Sequence, residues 1–254
     1  MSYQHLLVGH DGDVVIVKMA RAAAKNALNR ALIAELHEVL AKIATDNTTR
    51  AMILTGEGDV FCAGADLKER RDNPGKDAEF RAPLLAFWNE LASFGKPVVM
   101  AVNGHGIGGG FELALLGDAV VIADNAQFWL PEVQWGGIPG GWGTQLLPRI
   151  VGPVRARWII LNGHKLGARE MMFMGLATHV APQAEVLDTA RAVATELAKR
   201  PPTAVAMAKQ AIREAMTLPL MEGVLAEEKL LQQAVAAPER KAMLERFAAG
   251  HRPK

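Results

Sequence analysis

Residues 96–113 read KPVVMAVNGHGIGGGFEL, and this stretch decides the fold class. Its first part, residues 97–102 (PVVMAV), is apolar and rich in β-branched side chains, which predicts a buried strand. The chain then passes through a glycine-rich turn, residues 103–110, into a short predicted helix over residues 111–116. A strand that leads through a turn into a helix is typical of α/β folds with largely parallel strands.

The same alternation of strands and helices extends to both sides of this stretch. Further strands are predicted at Val14–Met19, 51–54 and Ala119–Ala123. Helices are predicted over residues 28–43, where apolar side chains recur at helical spacing, and over residues 80–94. Asn26 lies just before the first of these helices, and asparagine is a preferred N-cap residue, so we expect Asn26 to cap it.

The C-terminal part of the chain is predicted to be helical almost throughout from Gly152 onward. The pair Pro201-Pro202 marks a break, because proline disrupts a continuing helix. We therefore expect a strand-rich core domain over residues 1–200 and a helical region over residues 201–254.

Composition excludes several classes of protein. The 254 residues carry a formal net charge of +1, which gives no reason to expect a nucleic-acid or membrane partner. The single cysteine, Cys62, cannot form a disulfide within the chain or contribute to a cysteine-rich metal site, and it fits a reducing cytoplasm. Neither Ser2 nor Ser93 lies in a G-x-S-x-G motif, so serine-hydrolase chemistry is not expected. The first ten residues have neither a basic start nor an apolar run, and we expect no signal peptide.

The glycine turn allows two interpretations. Residues 104–109 satisfy G-x-G-x-x-G, and Asp124 lies twenty positions after Gly104, where a ribose-binding acid of a dinucleotide site belongs. Against this interpretation, the predicted helix after the turn is short and the motif lies in the middle of the chain.

In the second interpretation, the glycines allow the backbone to approach a ligand closely and to offer it free N–H groups. Residues 63–65 (AGA) form another turn of small residues after a strand. Two such turns can hold one carbonyl oxygen from two sides, as an oxyanion hole does. Two carboxylates lie close by in sequence: Glu112 follows the glycines, and Glu132 is almost the only charge in the apolar residues 129–140. Flanking by Trp129 and Trp135 predicts a raised pKa for Glu132.

Three motifs in this order resemble the crotonase, or enoyl-CoA hydratase-isomerase, superfamily. They are residues 55–67 (TGEGDVFCAGADL), 96–113 and 127–145 (QFWLPEVQWGGIPGGWGTQ), and the resemblance covers essentially the whole chain. It implies an α/β crotonase fold, a spiral of β-β-α units that forms two sheets and is followed by C-terminal helices. It also implies a homo-oligomer, either a trimer or a dimer of trimers, in whose assembly the helical region 201–254 takes part.

The resemblance further implies a reaction and its residues. The N–H groups of Ala65 and Gly109 would form the oxyanion hole for an acyl-CoA thioester, and Glu112 and Glu132 match the two catalytic carboxylates of hydratases. Glu112 would act as the base toward water and Glu132 as the acid toward Cα. This points to a cytoplasmic lyase of fatty acid metabolism that hydrates a 2-enoyl-CoA, or dehydrates the product. No metal or cofactor is expected beyond the coenzyme A of the substrate.

The substrate site is expected to include seven further residues. They are Lys25, Ala63, Asp66, Leu67, Trp129, Trp135 and Trp142. Lys25 would reach a CoA phosphate, although residues 21–28 (RAAAKNAL) depart from the R-P-x-K-x-N-A-L pattern of the family. Asp66 is expected mainly to fix its own loop, and Trp129 and Trp142 to narrow the acyl cavity. Arg246, His251 and Arg252 are candidates for further CoA contacts.

Other functions remain open at this point. Members of the superfamily that lack one or both acids catalyse other reactions of the same enolate, such as double-bond isomerisation, thioester hydrolysis or C–C cleavage. An acyl-CoA-binding homologue without catalytic activity is the third possibility.

Overall fold

The computed structural model of this chain describes residues 3–249, apart from the side chain of Asp77, so that His251 and Arg252 lie outside the described residues. Strands and helices alternate, as the predicted α/β class requires. The strands of the described part are β1 (Leu6–Asp11), β2 (Val14–Met19), β3 (Ala51–Gly56), β4 (Val60–Cys62), β5 (Val98–Val102), β6 (His105–Ile107), β7 (Ala119–Ala123), β8 (Gln127–Trp129), β9 (Leu166–Gly167) and β10 (His179–Ala181). The α-helices are α1 (Arg30–Thr45), α2 (Leu67–Asp72), α3 (Asp77–Ala92), α4 (Gly109–Ala114), α5 (Gly143–Val151), α6 (Pro153–Asn162), α7 (Ala168–Phe173), α8 (Val186–Ala198), α9 (Pro202–Ala215), α10 (Leu220–Ala236) and α11 (Pro238–Ala248).

The strands form two sheets, and successive β-β-α units contribute one strand to each. The six-stranded sheet has the order β1-β2-β3-β5-β7-β10, and the four-stranded sheet has the order β4-β6-β8-β9. Strands β3, β5 and β7 are parallel neighbours in the first sheet, while their followers β4, β6 and β8 are parallel neighbours in the second. The chain therefore advances by one strand position in both sheets with each unit, which confirms the predicted spiral.

The centre of the six-stranded sheet is apolar on both faces. Every residue of β5 and β7 is buried, because helices cover both sides of these parallel strands. The edge strand β1 pairs antiparallel with β2 and is largely exposed. The long helix α1 presents its apolar stripe to this core, with Leu32, Leu36 and Leu40 buried at helical spacing.

Two local predictions are corrected by the structure. Asn29, rather than Asn26, caps α1, and its side chain accepts a hydrogen bond from the backbone N–H of Leu32. Asn26 instead lies in the left-handed region with a φ of 54° and is fully buried. Its amide donates to the carbonyl oxygens of Glu57 and Val60, because these groups face it across the loop.

The second correction concerns the glycine turn. Its residues 105–107 form strand β6, which pairs with β4 and β8. The run of glycine and histidine has low strand propensity, so sequence alone did not indicate this strand. The short β9 and β10 were also missed, in the part of the chain predicted to be helical from Gly152 onward.

The last helices, α9 to α11, begin at the predicted proline break, with Pro202 at the start of α9. Lys209 on α9 joins this helix to the core: its ammonium group donates to the carbonyl oxygen of Lys96 and lies in an ion pair with Asp118. Between residues 3 and 249, no helix is long and apolar enough to cross a lipid bilayer.

Candidate active site

Two turns that leave neighbouring strands bring the amides of Ala65 and Gly109 together. β4 leads into residues 63–66, and β6 leads into Gly108 and the start of α4. Because β4 and β6 are neighbours in one sheet, the two turns meet at its edge. A Cβ atom built on Gly64 would lie only 2.8 Å from the backbone nitrogen of Gly109, so the close approach depends on glycine at this position.

Both amides are free to bind a ligand. Gly109 is the first residue of α4, where a helix has no internal acceptor for the N–H group. Leu28 contacts the other turn through the carbonyl of Gly64 and the N–H of Asp66, and the Ala65 N–H has no hydrogen-bond acceptor within residues 3–249. Both residues line the same cavity. Two backbone donors in such an arrangement can stabilise a negatively charged oxygen.

The dinucleotide-binding interpretation of the glycine turn does not agree with this geometry. A dinucleotide fold needs a turn that leads directly from a strand into a long crossover helix. Here strand β6 lies inside the motif, and α4 has only six residues. Asp124 is exposed in the loop after β7.

Glu112 is buried at the floor of the cavity, on α4. Only 2% of the residue is exposed, and its Oε1 accepts hydrogen bonds from the N–H groups of Gly141 and Gly143, each at 2.8 Å. The pKa of Glu112 is raised to about 7, mainly by burial and also by the nearby charge of Glu132, while the two amide donors and Arg81 oppose the shift. Such a carboxyl can exchange a proton near neutral pH.

Glu132 reaches the cavity from the other side. It begins a short 3-10 helix, Glu132–Trp135, after β8. Its Oε2 is buried and has no hydrogen-bond partner among the described residues. Burial raises the pKa of Glu132, as predicted. The expected cause was packing against Trp129 and Trp135. Trp135 is 79% exposed, however, the ring of Trp129 lies against Lys165, and Glu132 lies against Gly108.

The two carboxyls and the two amides share one cavity of about 290 Å³. Its remaining lining is mostly apolar or glycine, with two arginines. The other lining residues are Leu28, Ala63, Leu67, Arg70, Arg81, Leu84, Gly108, Pro131, Trp135, Gly137, Ile138, Gly140 and Gly141. Within residues 3–249, no group of three His, Cys, Asp or Glu side chains is arranged to hold a metal ion.

Of the seven residues expected to bind substrate, three line this cavity: Ala63, Leu67 and Trp135. Lys25 lies outside the lining, exposed at the end of the short 3-10 helix Ala22–Ala24. Asp66 also lies outside the lining. Its side chain caps α2 by accepting from the N–H of Glu69 and pairs with Arg21 at 3.0 Å, so it fixes its own loop.

Trp129 and Trp142 do not narrow the cavity, contrary to the prediction. The ring of Trp129 lies under the ammonium group of Lys165, which is 4.7 Å from the ring centroid. Trp142 packs against the hydrophobic core. Trp129 is the last residue of β8, where side chains alternate between the two faces of the sheet, and Trp142 has a left-handed backbone with a φ of 74°. Neither orientation could be predicted from composition.

Several residues that shape the site were missed by sequence reasoning. Trp88 on α3 donates from Nε1 to the carbonyl oxygen of Gly141 at 2.7 Å and so holds the loop that contacts Glu112. Arg81 and Leu84, on the same helix, line the cavity. Positions 81, 84 and 88 lie one and two helical turns apart on one face of α3, but this helix contains Pro83 and has no strong apolar stripe, so the sequence did not indicate that this face looks toward the site.

Comparison with known proteins agrees with this geometry. Residues 9–254 match the family described as enoyl-CoA hydratase/isomerase. The chain is 38% identical over 239 residues to a probable enoyl-CoA hydratase of Mycobacterium bovis, covering 94% of this chain and 93% of that protein. It is 39% identical over 236 residues to the 2,3-dehydroadipyl-CoA hydratase of Escherichia coli, covering 92% and 91%. The crystal structure of an enoyl-CoA hydratase from Bacillus anthracis superposes with a TM-score of 0.94 at 33% identity, covering 99% of this chain and 98% of that one.

Proposed function

Because this chain belongs to the enoyl-CoA hydratase/isomerase family, we propose that it hydrates the double bond of a 2-enoyl-CoA thioester, or dehydrates the 3-hydroxyacyl product. The observation that carries the proposal is that the buried Glu112, the half-buried Glu132 and two backbone amides without a hydrogen-bond partner among residues 3–249 share one cavity. Hydration requires both kinds of group, because it moves two protons and builds negative charge on the thioester oxygen.

The amides of Ala65 and Gly109 would bind the thioester carbonyl oxygen. When water adds to Cβ, the electron pair of the double bond moves toward this oxygen and forms an enolate. Each well-aimed donor at such a position contributes about 3 kcal/mol to transition-state stabilisation. The donors are backbone groups in the turns that directly follow two paired strands, so they need little reorganisation when the charge develops.

The two carboxyls would divide the proton transfers. Glu112 accepts two amide hydrogen bonds, which favour its anion, so it is suited to deprotonate the attacking water. Glu132 has an unpartnered buried oxygen, which favours its protonated form, so it is suited to donate to Cα. The charge of Glu132 contributes to the raised pKa of Glu112, so ionisation of Glu132 disfavours ionisation of Glu112. For dehydration the two roles reverse.

The coenzyme A of the thioester substrate would be the only cofactor that this reaction involves. Lys25 is exposed beside the loop of Ala63 and can contact a CoA phosphate. We also place the enzyme in the cytoplasm, in fatty acid metabolism, in keeping with its single buried cysteine, Cys62.

We further propose that the helical region 201–254 takes part in forming a trimer or a dimer of trimers. Exposed apolar side chains are concentrated on α10 and α11, and contact with another subunit would bury them. They are Leu220, Met221, Val224, Leu225, Leu231, Val235, Leu244 and Phe247.

The test is to replace Glu112 and Glu132 singly by Gln and to follow the enoyl-thioester absorbance. Each replacement should lower kcat by about 10²–10⁴-fold, since that is the usual contribution of one proton transfer. Glu185→Gln, at an exposed glutamate, serves as the matched control. Near wild-type turnover in either variant would remove that residue from the mechanism. Product analysis in deuterated water identifies the reaction, because isomerisation moves the double bond without adding oxygen.

A further inference from the structure

Arg81 places a positive charge in the wall of the active-site cavity, near Glu112. It lies on α3, one turn before Leu84, and both residues line the cavity. A Cβ atom built on Gly140 would lie 2.5 Å from Nη1 of Arg81, so the guanidinium group rests against that glycine. The next residue, Gly141, donates its N–H to Glu112. Arg81 and Glu112, the proposed base, therefore contact consecutive residues of one loop.

The guanidinium group of Arg81 has no protein partner among the side chains that the structure describes. Other basic residues near α3 are paired: Arg30 contacts Glu69 and Glu79, each at 3.3 Å, and Lys76 lies 3.8 Å from Glu79. An arginine that lines a cavity without an acidic partner is available to an anionic ligand, for which its planar fork is well suited.

The charge of Arg81 acts on one side of the cavity. Burial is the main reason that the pKa of Glu112 is raised, and Arg81 partly opposes that shift. The raised pKa of Glu132 has burial as its cause and no contribution from Arg81. The contacts agree: Arg81 lies against Gly140, next to the Gly141 amide that binds Glu112, whereas Glu132 lies against Gly108. Arg81 is therefore on the Glu112 side of the cavity. The lining that contains Arg81 also contains the apolar side chains of Leu84 and Ile138, which an acyl chain extending past both carboxyls would contact.

We propose that the acyl cavity accepts 2-enoyl-CoA thioesters whose acyl chain ends in a carboxylate, and that Arg81 binds this distal carboxylate. The proposal rests on the proposed function, which supplies the position of the thioester. A wholly alkyl chain would cover the guanidinium group without pairing it, and burying an unpaired charge is costly. A carboxylate at that point forms a charge-assisted, bidentate contact instead.

A phosphate of coenzyme A is the other anion that Arg81 could contact, and the experiment separates the two sources. Every CoA thioester carries the phosphates, so loss of an Arg81–phosphate contact weakens the binding of all substrates equally. Only some substrates carry a distal carboxylate, so loss of an Arg81–carboxylate contact changes the ratio of kcat/KM between two substrates of the same length. The informative quantity is therefore a selectivity ratio.

The probes are the six-carbon 2-enoyl-CoA that ends in a carboxylate and 2-hexenoyl-CoA. We expect the ratio of their kcat/KM values to fall about tenfold in Arg81→Met, and to recover in part in Arg81→Lys, which keeps the charge but not the bidentate fork. Arg71→Met is the matched control, because Arg71 is exposed, pairs with Asp72 and lies outside the cavity lining. It should leave the ratio unchanged.

An unchanged ratio in Arg81→Met, or an equal rise in KM for both substrates, would overturn the proposal. So would a ratio that falls only in Arg70→Met, since this outcome assigns the contact to the other arginine of the lining. The dissociation constants of the two saturated analogues, measured by calorimetry, give the selectivity of binding without turnover. If wild type hydrates neither enoyl thioester, the proposed function fails, and the binding ratio still decides the role of Arg81.

Discussion

Glu132 occupies the space that a side chain on Gly108 would need. Its Oε1 lies 2.5 Å from the position of a Cβ atom built on that glycine. Gly108 also has a φ of 52° and a ψ of −122°, a conformation that only glycine adopts readily. The same residue thus gives the chain its turn into α4 and leaves the room in which the second carboxyl lies.

We predict that Gly108→Ala displaces Glu132 and lowers kcat by at least about tenfold, because a misplaced proton donor loses most of its contribution. The strained backbone alone should cost about 1–3 kcal/mol of unfolding free energy. Gly152→Ala is the matched control. Gly152 has a φ of 81° and a ψ of 159°, and a Cβ atom there would meet no other atom within 4 Å. If both variants lost stability equally and kept full turnover, the position of Glu132 would not depend on Gly108.

The raised pKa of Glu112 makes stability depend on pH. Folding raises this pKa from its ordinary value of 4.5 to about 7, mainly through burial. The folded protein thus binds the proton more tightly than the unfolded chain does. The stabilising contribution of the group is complete below about pH 4.5 and is lost as the pH rises through about 7.

Glu112→Gln cannot lose this proton, and its amide oxygen can still accept from Gly141 and Gly143. The quantity compared is the unfolding free energy of the variant minus that of wild type. We predict that this difference is larger at pH 8 than at pH 4.5 by up to about 3 kcal/mol. Urea unfolding at the two pH values measures this change. Glu185→Gln, at the surface, should show none. A difference between Glu112→Gln and wild type that is the same at both pH values would mean that Glu112 is not buried as a titrating group.

Asn26 is predicted to hold the N-terminal loop against the segment that joins β3 to β4. Its side chain donates to Glu57 and Val60 and accepts from the N–H of Arg21 at 3.0 Å. Asn26→Ala should lower the unfolding free energy by about 2–4 kcal/mol, because it leaves these buried groups unpaired. It should also lower kcat, since Leu28, two residues later, holds the turn of Ala65 through Gly64 and Asp66.

Lys25→Ala is the control for Asn26→Ala, because it places alanine at a left-handed position without removing buried hydrogen bonds. Lys25 has a φ of 52°, close to the 54° of Asn26, but its side chain is exposed. Its replacement by alanine should therefore change stability by less than about 1 kcal/mol. Equal losses in the two variants, measured by thermal unfolding, would mean that the conformation and not the hydrogen bonds of Asn26 sets the cost.

The sequence motifs, through their resemblance to the crotonase superfamily, were enough to predict the spiral fold and a common site for Glu112 and Glu132. Each of these depends on strongly patterned segments, such as the strand β5 and the glycines that follow it. The placement of Trp129 and Trp142 could not be predicted, because it depends on a strand register and on one left-handed residue. Arg81 and Trp88 were missed for another reason: α3 has Pro83 in its interior and no strong apolar stripe, so its inward face is defined only by tertiary contacts.

Trp88 is predicted to affect the pKa of Glu112 through Gly141. Its Nε1 donates to the Gly141 carbonyl, and the N–H of Gly141 donates to Glu112. In Trp88→Phe this carbonyl loses its partner, and the loop holds its amide less firmly against the carboxylate. Weaker donation to the anion raises the pKa of Glu112 further. We therefore expect the rise of kcat/KM with pH to shift to higher pH, and kcat at pH 7 to fall several-fold.

Phe87→Leu provides the control for lost packing. Phe87 is the buried neighbour of Trp88, with ring centroids 5.7 Å apart, and it is not among the residues that line the cavity. Each replacement should cost about 1–4 kcal/mol of unfolding free energy. Only Trp88→Phe should move the pH profile. An equal shift in both variants, or none in either, would make Trp88 a packing residue alone, whereas a shift confined to Trp88→Phe assigns the control of Glu112 to the indole hydrogen bond.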